Sequence, residues 1–314
     1  MLSLLSRRLA YTVPLLLVVS LLIFTLIVLV PGDPAVSLAG QNPTAAQIDE
    51  VRTQLGLNDP FLVQYWGWLT DAVTGDLGSS LYSNESVGAA IATRLPATLS
   101  LALVAITMGL LLGVSVGLVA GLRQGTWIDR VATFTASLGV AVPYFWVGMM
   151  LVLFFAIENP ILPAVGYAPL GDGFGAWFSH VVLPASALAI APAAVIARQT
   201  RAAVAGVMSE DYIRTGEAKG LSRLQIVGKH ALKNAGLPIA TVFGIEVNRL
   251  IGGTIVIEQL FAIPGLGQLG YQAVFSRDFP MVQGVLLVTA IFILLINLLV
   301  DVSYGYFNPR VRQA

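Results

Sequence analysis

The chain has 314 residues, 56% hydrophobic and only 11% charged, against roughly 25% charged in an ordinary soluble domain. With a mean hydropathy of +0.82, this excludes a water-soluble globule and places the chain among helical membrane proteins. Zero net charge argues against a nucleic-acid partner, and the lack of cysteine excludes disulfides, thiolate metal sites, iron–sulfur ligation and cysteine nucleophiles.

A bilayer core takes about 20 mostly apolar residues per helix. In chain order, apolar runs predict six spans near Leu9–Val30, Ala97–Gly121, Val131–Ile157, His180–Ala197, Ala235–Ile257 and Met281–Phe307. The first follows Arg7-Arg8 and is longer than a signal-peptide core of about 7–15 residues. No small-residue cleavage site follows it; Pro31-Gly32-Asp33-Pro34 does, so it reads as a retained helix. The second run carries Gly109, Gly113, Gly117 and Gly121 at a spacing of four, a stripe that lets another helix approach closely. Pro143, Pro184, Pro192 and Pro238 are expected as kinks within spans.

Charge gives the orientation. Arg7, Arg8, Arg123, Arg130, Arg198, Arg201, Arg214, Lys219, Arg223, Lys229, Lys233, Arg310 and Arg312 fall on one side of a six-span chain, 13 of the 17 basic residues. The other side holds Arg52, Arg94 and Arg277, with Arg249 inside a span. The positive-inside rule then puts both termini in the cytoplasm.

Four divisions follow: 1–30, the N-terminal tail and first span; 31–96, an external cap segment; 97–307, a five-span core with a cytoplasmic loop at 198–234; and the tail 308–314. In the cap segment, Thr44 is placed to cap a short helix with Ile48, Val51 and Leu55 on one stripe. The aromatic stretch Phe61–Leu69 suits the headgroup level.

The loop at 198–234 carries the most information. It predicts two short helices with a corner between them. Ser209 is expected to cap the first, Glu210 and Asp211 suit its positive end, and Gly220 suits a left-handed stop. Ser222 with Gln225 reads as a capping box that starts the second. Tyr212, Ile213, Ala218 and Leu221 alternate with Arg214 and Lys219, an amphipathic face suited to a partner or to the membrane surface.

The stretch Asp211-Tyr-Ile-Arg-Thr-Gly-Glu-Ala-Lys-Gly-Leu-Ser, followed by Lys-His-Ala-Leu-Lys-Asn-Ala, resembles the coupling-loop motif of ATP-binding-cassette importer permeases. It is similar to the dipeptide, oligopeptide and nickel branch, whose departure from the generic Glu-Ala-Ala…Gly pattern it shares at Arg214, Thr215 and Gly216. The resemblance to the first (B-type) permease subunit runs the length of the chain. It includes Pro31-Gly-Asp-Pro-Ala35, Gly75-Asp-Leu-Gly-Ser79, Arg94-Leu-Pro-Ala-Thr-Leu, Pro143-Tyr-Phe-Trp, Glu258-x-x-Phe-x-x-Pro264-Gly-Leu-Gly267 and Arg277-Asp-Phe-Pro-Met-Val-Gln-Gly284.

The resemblance implies an all-α polytopic membrane protein of the type I importer permease kind, in a prokaryotic plasma (inner) membrane. It implies a transport subunit of an ATP-driven peptide importer, with Tyr212, Ile213, Arg214, Thr215, Ala218, Lys219, Gly220 and Leu221 meeting the ATPase. It also implies four kinds of partner: a second homologous permease, one or two ATPase subunits, an extracytoplasmic binding protein and a peptide substrate. Nickel chelates and glutathione are alternative cargoes in the same class. No phosphate loop of the form Gly-x4-Gly-Lys-[Ser/Thr] occurs, so ATP and Mg belong to the partner subunits and this chain has no cofactor of its own.

Glu246 and Arg249, three residues apart in the fifth span, share a helix face with Asn248 near them. Two readings stand: a translocation path that meets the charged ends of a peptide, or an ion pair that fixes the helix. A proton-coupled secondary transporter would need a carboxylate relay, for which only Glu246 is available. His180 and His230 have no second ligand at metal spacing, Asp301 near the end of the last span reads as structural, and Ser137, Ser186 and Thr254 lack the setting of a hydrolase nucleophile.

Overall fold

The computed structural model describes residues 2–29, 35, 36, 39, 43–54 and 56–307. Pro31–Pro34, Leu55, Arg310 and Arg312 fall outside these residues, as do the side chains of Arg7, Arg8 and Asp301. The helices are α1 (Leu2–Leu29), α2 (Ala45–Gln54), α3 (Phe61–Thr74), α4 (Val87–Leu122), α5 (Trp127–Ala141), α6 (Tyr144–Glu158), α7 (Phe174–Met208), α8 (Asp211–Ala218), α9 (Arg223–Leu260), α10 (Leu266–Ser276) and α11 (Phe279–Phe307). Among the described residues no strand forms beyond an isolated bridge, Ser79 to Ser86.

Among the described residues, α4, α7, α9 and the Phe279–Val300 part of α11 are long and apolar enough to cross a membrane. The sequence treats Val131–Ile157 as one span with a kink. The chain instead breaks there into α5 and α6, bent by 97°. Pro143 is the cause: it disfavours helical backbone in the residue before it, and Val142 is extended at φ −82°, ψ 129°. Counted as one, this pair is a fifth span. The first of the six expected spans falls on α1, whose apolar stretch Ala10–Leu26 is shorter. Pro184, Pro192 and Pro238 sit inside unbroken helices.

The chain divides into two compact units. One comprises Met1–Ser6, Ala97–Pro264 and Leu295–Ala314. Here α7 is the hub: 61% of its most apolar window is buried, against 22% for α9. Alanines make it thin, with Ala185, Ala187, Ala189, Ala194 and Ala197 all buried. It packs on α5, α6 and α9. The glycine stripe of α4 lies along it: a Cβ at Gly113 would come within 2.7 Å of Ile196 Cβ, and one at Gly117 within 2.4 Å of the Ala197 carbonyl oxygen. The spacing of four therefore sets a backbone-to-backbone seam. Leu101, Val181, Leu188, Leu250, Ile257 and Phe261 fill the core beside it.

The end of α9 is closed by Ala262 in the left-handed region at φ 49°, with Ile263 N donating to Glu258 O at 2.8 Å. This is a Schellman ending, whose apolar residue after the turn, Ile263, is buried. The Glu258 side chain is fully buried and accepts a hydrogen bond from Thr98 Oγ1 at 2.7 Å.

The second unit comprises Arg7–Pro96 and Gly265–Leu294. Thr44 caps α2 as expected: Gln47 N donates to Thr44 Oγ1 at 3.4 Å and Thr44 N to Gln47 Oε1 at 2.8 Å. The aromatics of α3 fold onto α1, with Phe61, Tyr65 and Trp68 around Phe24 and the Tyr65 hydroxyl bonded to Ser20 Oγ at 2.9 Å. Trp66 on the opposite side is exposed. Asp278, buried, accepts from Ser80 Oγ and from Leu81 N, pinning the turn that leads into α4.

Candidate functional site

The segment after α7 is built by local chemistry. Ser209 was expected to cap α8, but its backbone is helical at φ −85°, ψ −9°, and its hydroxyl donates back to Gly206 O at 2.7 Å. A capping residue needs extended backbone so that its oxygen faces the free N–H groups; Glu210 takes that position, without a side-chain cap. Asp211 opens the helix and pairs with Arg214 Nη1 at 3.3 Å, both exposed. Gly220 closes it at φ +78°, with Gly220 N donating to Glu217 O at 2.9 Å and Leu221 N to Gly216 O at 3.1 Å. The capping box at Ser222 is complete: Gln225 N donates to Ser222 Oγ at 3.3 Å, and Ser222 N to Gln225 Oε1 at 3.0 Å.

Of the eight residues expected in this segment only Ile213 is buried. It sits on α8 where that helix packs against the π turn Ile226–Ala231 at the start of α9, in which Ile226 is buried too. The Tyr212 hydroxyl accepts from Asn234 Nδ2 at 3.1 Å. Arg214, Thr215, Ala218, Lys219 and Gly220 face outward, and Leu221 is exposed as well. Leu224, which periodicity did not single out, is 83% exposed. The result is a corner, closed by Gly220 and the Ser222 capping box, that shows mixed charged and apolar groups to the outside.

The second group lies midway along α9. Arg249 Nη1 donates to Glu246 Oε1 at 2.8 Å; the Glu246 side chain is 4% exposed and the Arg249 side chain 68%. Asn248 Nδ2 donates to Asn297 Oδ1 of α11 at 2.7 Å, while Asn248 Oδ1 is buried with no hydrogen-bond partner. Glu246, Asn248 and Arg249 thus share one stretch of helix, but Asn248 turns to α11 and Arg249 outward. Asn297 escaped the sequence reading; its signal was a single amide in the run Leu294-Leu295-Ile296-Asn297-Leu298-Leu299.

A second ion pair also escaped it. Asp129 in the first turn of α5 is buried, accepts two hydrogen bonds from Arg201 of α7 and a third from Gly125 N at 2.9 Å. The available signal was a single acid between the bases Arg123 and Arg130 of its short loop.

The chain matches the model of a family described as binding-protein-dependent transport system inner membrane component over residues 109–313, and that family's N-terminal part over residues 1–102.

The chain belongs to this family of importer permeases.

A putative peptide transport system permease protein of Brucella abortus strain 2308 is 41% identical over 99% of both chains. A probable peptide ABC transporter permease protein of Sinorhizobium fredii is 41% identical over 98% of both. The glutathione transport system permease protein GsiC of Escherichia coli K12 is 40% identical over 99% of both. Among solved structures, an inward-facing form of the MetNI methionine ABC transporter aligns with a TM-score of 0.56 at 20% identity, covering 69% of this chain and 96% of that one, which shows the fold alone. The permease therefore has the type I importer fold, is a multi-pass inner-membrane transport subunit rather than an enzyme, and works with ATPase and substrate-binding partners.

Proposed function

We propose that this permease lines the path of an ATP-driven importer of small peptides, in a heterodimer with a second homologous permease. The observation that carries the path is the state of Arg249. A guanidinium 68% exposed in the middle of a span is costly against lipid, so that face of α9 meets water or a partner subunit. Arg249 then receives the carboxylate end of a peptide, held ready by Glu246. Asn248 belongs to the same stretch of α9, its amide turned to α11 and its Oδ1 buried rather than presented to the peptide. Peptide cargo, glutathione included, is supported by the names of the relatives.

Coupling runs through Tyr212, Ile213, Arg214, Thr215, Ala218, Lys219, Gly220 and Leu221, which meet one or two types of ATPase subunit, with Leu224 beside them. Both termini are cytoplasmic, and residues 31–96 and 258–280 receive the binding protein.

Gly220 tests the coupling. A Cβ there would meet nothing within 4 Å, so a substitution acts through the backbone alone. Gly220→Val has to hold a positive φ at a cost on the order of 1 kcal/mol or more, whereas Gly220→Asn tolerates it. The valine variant, like Lys219→Glu, is expected in the membrane with ATP hydrolysis uncoupled from uptake, and the asparagine variant near wild type. Normal substrate-stimulated ATPase and uptake in Gly220→Val and Lys219→Glu would remove this assignment.

A further inference from the structure

A cavity of about 320 Å³ opens between α4, α5, α6 and α7. Met108, Leu112, Gly139, Leu151 and Ile190 are among the groups that line it. Its two hydroxyls are already satisfied by their own helices: Thr135 Oγ1 donates to Val131 O at 3.0 Å and Ser186 Oγ to Val182 O at 2.6 Å. Among the described residues no charged side chain lines it, so these offer nothing to a zwitterionic peptide. It holds about ten groups the size of a water molecule, whose share of liquid volume is about 30 Å³. Methylene groups are of similar size, so a stretch of hydrocarbon chain fits and a helix does not.

One end of this cavity changes character. Val116, Ala132, Ala136 and Ala197 also line a smaller recess whose far wall is Arg198 and Arg201. Arg201 is held by Asp129, but Arg198 is exposed and has no ion-pair partner among the described residues. Arg130, next to Asp129 in α5, is exposed as well. Arg198 and Arg201 against Asp129 leave the wall of this recess at about +1, with Arg130 one residue from Asp129 along α5. Trp127, 72% exposed at the start of α5, has the placing of an interfacial aromatic and sets the headgroup level beside these arginines. Apolar groove and cationic end are thus stacked in the order of a phospholipid's acyl chain and phosphate.

We infer that this groove binds an anionic glycerophospholipid, one acyl chain lying between α4, α5 and α7 and the phosphate meeting Arg198. Basic recesses between transmembrane helices suit such headgroups. The break at Pro143 supplies the room, because α5 and α6, bent by 97°, do not fill the space beside α7 as one straight span would. The lipid thereby completes the packing around the hub helix.

The test uses the full chain, purified in detergent and titrated with phosphatidylglycerol or phosphatidylcholine of identical acyl composition, with bound lipid counted by native mass spectrometry. Wild-type protein is expected to keep about one phosphatidylglycerol in preference to phosphatidylcholine. Arg198→Gln, at an exposed position, should weaken phosphatidylglycerol binding about fivefold and leave phosphatidylcholine unchanged. Thr135→Phe, also exposed, should fill the groove and lower both. Equal retention of the two lipids by the wild type, or an unchanged preference in Arg198→Gln, would overturn the site. So would cross-linking of a cysteine at position 135 to a helix of the second permease in the assembled complex, since a protein segment would then occupy the groove.

Discussion

Two ion pairs in one unit use the same chemistry for different ends. Asp129 and Arg201 join two helices, α5 and α7; the carboxylate is buried, takes two bonds from the guanidinium and a third from Gly125 N, and the arginine side chain is only 31% exposed. Glu246 and Arg249 lie three apart on α9, share one hydrogen bond and leave the arginine 68% exposed. The first pair stitches the fold where the glycine seam of α4 ends on α7, with a Cβ at Gly121 meeting Arg201 O at 2.9 Å. The second fixes no helix to another. A pair that bridges elements and is sealed reads as architecture, and a pair within one helix with its cation presented outward reads as a contact for something else.

The largest expected effect separates the two. Arg201→Gln strands a buried carboxylate and should cost about 3–5 kcal/mol, seen as collapse of folded yield and of the melting temperature in detergent. Adding Asp129→Asn should recover most of that loss. Stability near wild type in Arg201→Gln would show that the α5–α7 pair is not structural.

Next is Arg249→Gln. It also strands the buried Glu246 carboxylate, so complex yield should fall, while loss of one charge-assisted hydrogen bond to substrate, about 1.5–3 kcal/mol, should reduce uptake per assembled complex roughly tenfold or more. The double variant Glu246→Gln/Arg249→Gln should assemble yet stay impaired. Uptake restored in full by the double variant would reject the path and leave this pair as architecture too.

Glu246→Gln alone should be milder, because it leaves a cation that is already solvated rather than a buried one. Complex yield and uptake measured separately in this variant test that ranking; a fall in yield as large as that of Arg201→Gln would reverse it.

Cysteines at positions 45, 83 and 215 should not disturb stability, and the chain has no background thiol. An impermeant maleimide on intact cells is expected to mark 45 and 83 but not 215, and marking of 215 from outside would invert the orientation.

What could be read in the sequence is what short-range chemistry decides. The capping box at Ser222 and the left-handed Gly220 need only neighbours within three or four residues. The Gly109–Gly121 stripe is visible because a period of four keeps small residues on one face. Glu246 and Arg249 are visible for the same reason.

Contacts distant in sequence were not legible. Asp129 and Arg201 are 72 residues apart and Asn248 and Asn297 are 49 apart, and nothing local marks either pairing. A proline within an apolar run reads alike whether the helix runs on unbroken, as at Pro184, or turns by 97°, as at Pro143. Ser209 failed as a cap because α7 runs on past the expected span end at Ala197 to Met208, which makes Ser209 the closing residue of α7 rather than the opening one of α8.

On the reading proposed above, this permease imports small peptides at the expense of ATP hydrolysed in partner subunits. The most direct measurement of this is peptide accumulation and ATP hydrolysis in the same proteoliposomes, with the permease pair, ATPase and binding protein reconstituted together. Accumulation is expected to require ATP and the binding protein, and to be lost in Gly220→Val while hydrolysis persists. Accumulation driven by an imposed proton gradient without ATP would contradict it.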